Sequence, residues 1–183
     1  MLKFVLLGSL NYQPMSGYDL KQFIDRSTSN FWHAELSQIY TTLKTLEKEG
    51  LIICTSVAQE KRPDRRVYTI TPEGSQHFAD WLHQPFTEVD PYKDTLLLKI
   101  FFSGDQDKTD ILAQLDIQRN IHQKIVEKYQ AETAGIIAKT MEHAPHLRKH
   151  ALMWEATRRF GEIAEVAYLR WLDETIQMVQ ENF

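Results

Sequence analysis

A single cysteine, Cys54, excludes an internal disulfide in this 183-residue chain and suits a reducing, cytoplasmic setting. No apolar run approaches the roughly 20 residues that a membrane-crossing helix needs, so no membrane partner is expected. The opening "MLKFVLLGSL" superficially resembles a signal peptide. Its apolar run is short and no small-residue cleavage pattern follows, so it is expected to form a first core helix. Basic residues are not in surplus: 21 Lys+Arg against 25 Asp+Glu leave a net charge of −4. Residues 1–83 are neutral, nine of each sign, and any DNA-binding surface must therefore be a local patch on that half. There is no phosphate-binding glycine loop, dinucleotide glycine pattern or nucleophile elbow. Cys54 lies beside "LII" in a strand-like stretch, which suits a buried, inert thiol. Catalysis and a bound cofactor are not expected, and internal repeats and low-complexity tracts are absent from the sequence.

What remains has the composition of an ordinary soluble globular protein, 43% hydrophobic and 25% charged. A first helix spans about Leu2 to Leu10. Pro14 stops it, and Ser16 with Asp19 three residues on forms a capping-box pattern that starts a second, running to about Arg26. A third covers roughly 36 to 49 and ends at Gly50, a good left-handed cap. "LIICTSV" and "VYTIT" are rich in β-branched and aromatic residues and predict a hairpin, with the basic "AQEKRPDRR" as its tip. Thr71 and Pro72 open a fourth helix to about His83. Three helices, a hairpin and a further helix make a winged helix-turn-helix over residues 1–84. Residues 85–183 read as a helical domain, and the fold class is mainly α with a small β-hairpin.

The third helix carries the functional signal. Leu36, Ile39, Leu43 and Leu46 share one face, while the other shows Ser37, Gln38, Thr41 and Thr45, then Lys44 and Lys48. Short hydrogen-bonding side chains let a helix approach base edges in a major groove, where Gln pairs with adenine and Thr can present a methyl to thymine. Lys44 and Lys48 would meet phosphates. The plainer reading makes Ser37 an N-cap and the threonines neutral surface residues. In the hairpin tip Lys61, Arg62, Arg65 and Arg66 could grip the backbone or enter a minor groove, or could simply be a solvated turn.

"LLGSLNYQPMSGYDL", "SQIYTTLKTLEKEGLI" and "RRVYTITPEG", in that order, resemble the PadR family of transcriptional regulators. "DTLLLKIFFSGD" and "EVAYLRWLDETI" extend the resemblance to the branch with a C-terminal helical, virulence-activator-like dimerisation domain. It implies a homodimeric repressor or activator on an inverted repeat of promoter DNA, released in some members by a small aromatic effector such as a phenolic acid. It also implies that Tyr40 faces DNA. Thr41 stands where the family often has proline, and Pro63-Asp64 where Gly-Arg is common. The competing class is a winged-helix module that binds protein instead of DNA.

In the second half, Asp90-Pro91 is expected to start a helix whose "TLLLKIFF" is buried on several sides. A long helix from about Asp107 to Met141 shows a seam of Ile111, Leu115, Gln118, His122, Ile125 and Tyr129. The last helix, from about Pro145 to Gln180, has two apolar stripes, one of Met153, Ala156, Phe160, Ile163 and Ala167, the other of Ala164, Tyr168, Trp171 and Met178. Two stripes at an angle suggest one face for the domain and one for a partner. Ile111, Leu115, Phe160, Ile163, Ala167 and Trp171 are the candidate dimerisation residues. Trp154 and Tyr168 are candidate effector contacts. His143, His146 and His150 lie close together, but Pro145 takes His143 off their face, so a solvated helix start is expected there rather than a metal site. His122 is a candidate pH-sensitive group.

Overall fold

A computed structural model describes residues 1–28, 31–57, 65–89 and 92–183. The chain divides into two compact units, Met1–Asp90 and Pro91–Phe183.

In the first unit α1 (Leu2–Leu10) is the central helix. Its Leu6 and Leu7 are fully buried against Leu20 and Ile24 of α2 (Gly17–Ser27) and Ile39 and Leu43 of α3 (Leu36–Lys48). Each such side chain contributes roughly 1.5–3 kcal/mol on burial, so the three helices hold together through their apolar faces. The capping box is formed: Ser16 N–H donates to Asp19 Oδ2 at 2.8 Å, and Asp19 N–H to Ser16 Oγ at 3.2 Å. Gly50 takes φ +72°, the left-handed conformation that turns the chain from α3 into β1 (Ile52–Val57). β1 pairs antiparallel with β2 (Arg65–Ile70), in a register that sets Ile52 opposite Ile70 and Val57 opposite Arg65. Met15 and Tyr68 exchange backbone hydrogen bonds of 3.1 and 2.9 Å, a third rung on the free edge of β2. Read as a simple stop, "QPMSG" gives no hint of this pairing, because it depends on a strand more than fifty residues away. The Thr71 hydroxyl caps α4 (Pro72–His83), accepting from Gly74 N–H at 3.0 Å.

The second unit departs further from expectation. Residues 90 and 91 lie outside the described residues, and α5 (Thr95–Phe101) starts only at Asp94, whose Oδ1 accepts from Leu96 and Leu97 N–H at 2.7 and 3.0 Å. Leu96 alone is buried in it; Leu98, Phe101 and Phe102 beyond its end are exposed, since seven residues present only one face to the neighbouring helices. The expected long helix is interrupted. α6 (Lys108–Lys128) passes through a π-helical turn, Tyr129–Thr133, into α7 (Ala134–His143). Arg158 explains why the turn is tolerated: its Nη1 donates to the Tyr129 carbonyl at 3.2 Å while Glu155 and Glu162 hold the guanidinium at 2.7 and 2.8 Å. Pro145 opens a short 3-10 turn, Pro145–Leu147, before α8 (Arg148–Asn182).

Ile111 and Leu115, expected at a partner surface, are seated in the unit's own core with Leu172 and Val179, and Trp171 packs against the same cluster. Periodicity revealed their apolar face but not which helix covers it. Met153, Ala156, Phe160, Ile163 and Ala167 are all exposed.

Candidate nucleic-acid interface

The outer face of α3 stands as the sequence predicts. Ser37, Gln38, Tyr40, Thr41, Lys44, Thr45 and Lys48 are exposed, and Ile39, Leu43 and Leu46 are fully buried beneath them. Lys44 and Lys48 form no ion pair among the described residues, which leaves both ammonium groups free for an anion. Gln38 differs from expectation in one respect. Its Oε1 accepts from Glu35 N–H at 3.0 Å and so closes the helix start, leaving the amide Nε2 as a donor with no partner among the described residues. Pairing with adenine through both amide groups would compete with that cap. The Glu35–Gln38 spacing of three is the sequence signal that went unread.

Tyr40 lies against α2. A Cβ added to Gly17 would come within 2.5 Å of its ring, so Gly17 makes the room that lets the tyrosine rest there with its edge in solvent. Ahead of α3, an open recess of about 490 Å³ is lined by Leu2, Trp32, His33, Ser37, Gln38 and Thr41, with Thr42 beside them. Trp32 and His33 were not singled out from the sequence, which offers no periodic signal in the loop before a helix.

The wing arginines are engaged within the unit. Arg65 pairs with Asp19, and Arg66 donates to Glu47 Oε2 at 3.1 Å and to Cys54 Sγ at 3.1 Å. Burial pushes the Asp19 carboxyl up, but hydrogen bonds from Ser16 and Arg65 outweigh it and hold the group below the usual carboxylate range. These pairs tie the base of the wing to α2 and α3, and each arginine must share or leave its carboxylate to meet a phosphate. Lys61 and Arg62 lie outside the described residues.

In the second unit, Tyr168 donates to Asp94 Oδ2 at 2.8 Å and stacks on His122 at 4.1 Å between ring centres. Burial first, then the Asp94 carboxylate, raise the Tyr168 hydroxyl well above the ordinary tyrosine range. His122 is paired in turn with Glu165. A cavity of about 290 Å³ is lined by Lys93, Lys99, Gln114, Gln118, His122 and Tyr168, among others. Trp154 is not in its wall; it sits fourteen residues up α8 from Tyr168, about 21 Å along the axis. His143 Nδ1 bonds to the Lys139 carbonyl at 2.9 Å, and no group of three or more potential metal ligands is assembled among the described residues.

Sequence comparison accounts for both units. Residues 6–80 match the model of the transcriptional regulator PadR-like family, and residues 92–180 that of the virulence activator alpha C-terminal domain. A Mycobacterium tuberculosis protein, named a probable transcriptional regulator, is 31% identical over 190 residues, covering 99% of this chain and 98% of its own. The chain belongs to the PadR family of transcriptional regulators. The negative transcriptional regulator PadR of Bacillus subtilis is 28% identical over 187 residues, covering 100% of this chain and 99% of its own. A crystal structure of that PadR with operator DNA superposes with a TM-score of 0.79 at 27% identity, covering 97% of this chain and 98% of the other. A second, with p-coumaric acid, gives 0.73 at 26%, covering 98% of each. PadR proteins are regulators rather than enzymes. Among the described residues no helix is long and apolar enough to cross a membrane.

Proposed function

We propose that this PadR protein is a cytoplasmic, homodimeric repressor that lays α3 in successive major grooves of an inverted-repeat operator. Half-sites would lie about 34 Å apart, one helical turn of DNA. The observation that carries the reading is the outer face of α3, which joins exposed Ser37, Gln38, Tyr40, Thr41 and Thr45 to Lys44 and Lys48, unpaired among the described residues, over a fully buried apolar face. The Bacillus subtilis relative, a negative regulator with a structure on operator DNA, supports it. Selection of bound duplexes from a random library tests binding and half-site spacing together; enrichment of no sequence would overturn it.

Salt dependence separates DNA binding from a protein-docking role. Each phosphate contact contributes about −0.9 to the slope of log affinity against log salt, so Lys44→Ala with Lys48→Ala should reduce that slope by about 1.8. Arg65→Ala with Arg66→Ala should reduce it less, because both side chains already face a carboxylate. An unchanged slope in the lysine variant takes α3 off the phosphates.

For the dimer, the exposed row of Phe160, Ile163 and Ala167 on α8 supplies an apolar surface. Placing charge there, Phe160→Asp with Ile163→Asp, should give a monomer in sedimentation at micromolar concentration, and a retained dimer mass moves the interface elsewhere. A small aromatic acid is the proposed effector, seated beside Tyr168 and His122 with Lys93 and Lys99 toward its carboxylate. The relative bound to p-coumaric acid supports this class. Undiminished binding of the selected duplex at saturating p-coumaric acid would rule out that compound.

A further inference from the structure

The hydrogen-bonding capacity of the reading face is largely directed back into the helix. Thr41 Oγ1 donates to the Ser37 carbonyl at 2.9 Å, Thr45 Oγ1 to the Thr41 carbonyl at 3.2 Å, and the half-buried Thr42 Oγ1 to the Gln38 carbonyl at 2.8 Å. A hydroxyl has one proton. With that proton on the helix backbone, Thr41 and Thr45 offer an incoming base a methyl group and oxygen lone pairs, and nothing to donate. Redirecting the proton to a base would exchange one hydrogen bond for another with little net gain. Burying the methyl against an apolar group has no such offset.

In the major groove the one apolar group that identifies a base is the 5-methyl of thymine. Ser37, Thr41 and Thr45 follow one another at four-residue steps, about 6 Å apart along the helix, so the two methyls stand on one ridge. We infer that Thr41 and Thr45 determine sequence preference by seating thymine methyl groups, and that their hydroxyls do not donate to bases. The inference rests on the proposed DNA binding and deepens it: the half-site should contain thymines that are recognised by their methyls.

The test uses the full-length protein and the duplex enriched from the random library, with each thymine replaced in turn by deoxyuridine, which removes the methyl and keeps the pairing. At one or more positions per half-site this should weaken the wild-type protein roughly fourfold, the effect of burying one methyl group. Thr41→Ser or Thr45→Ser should weaken the parent duplex by the same factor and abolish sensitivity at one of those positions. Thr41→Val and Thr45→Val, which keep a methyl and lose the hydroxyl, should retain both affinity and sensitivity. Circular dichroism confirms that the four variants are folded. If the valine variants bind worse than the serine variants, or the wild type is indifferent to every deoxyuridine, the inference is wrong while DNA binding stands. If no sequence is enriched at all, both readings fall.

Discussion

Gln38→Glu should leave the first unit as stable as the parent and weaken binding to the selected duplex about 100-fold, the combined effect of one lost base contact and a carboxylate turned toward phosphates. The prediction turns on two tasks for Gln38, the cap seen in the structure and the base contact proposed for it. Its Oε1 accepts from Glu35 N–H at 3.0 Å, and a glutamate reaches the same donor. A negative charge in the first turn also favours the helix dipole, offset in part by the neighbouring Glu35. The amide Nε2 has no such substitute: among the described residues it has no partner, it is the donor proposed to meet a base, and glutamate removes it. Gln38→Ala is a poorer experiment, since it loses the cap and the contact together. Thermal unfolding and duplex affinity measured on the same preparation separate the two tasks. An unchanged melting temperature with affinity kept within a few-fold would take Gln38 out of the groove.

The features legible in the sequence are those whose physical cause is local. Ser16 and Asp19 cap each other across three residues, Gly50 is the residue that tolerates a left-handed turn, and Thr71-Pro72 starts a helix by its own chemistry. The alternation of buried Ile39, Leu43 and Leu46 with exposed Ser37, Thr41 and Lys44 is likewise written in a single turn-to-turn period. Features that depend on a distant partner were out of reach. Arg65 looks like a free cation until Asp19, 46 residues away, is folded beside it. Ile111 and Leu115 look like an interface until Leu172 covers them. The π-helical turn at Tyr129 follows no local breaker; Arg158, arriving from 29 residues further on, supplies its carbonyl partner. An apolar stripe states that something must cover it, and only the fold states what.

Gly74→Ala should lower the melting temperature of the first unit by more than about 10 °C, from a net loss of about 3 kcal/mol at roughly 4–8 °C per kcal/mol in a domain of this size. The added Cβ would stand 2.0 Å from the Leu51 carbonyl oxygen and 2.9 Å from Ile70 Cγ1. The Ile70 side chain can rotate, but the carbonyl cannot retreat freely. It accepts from Thr71 N–H at 3.0 Å, and the Leu51 N–H is bonded to the Leu46 carbonyl at 3.0 Å, so movement there disturbs the end of α3 as well. Helix propensity works the other way, since alanine is favoured over glycine by about 1 kcal/mol in a helix interior, and a drop must therefore come from the close approach of α4 to the α3–β1 turn. Gly135→Ala in α7 is the matched control. Nothing lies within 4 Å of its added Cβ, so only the propensity gain remains and the second unit should unfold at the same or a slightly higher temperature. Equal melting temperatures for Gly74→Ala and the parent would mean that α4 does not sit against the Leu51 carbonyl, and the wing would lose its anchor to α3.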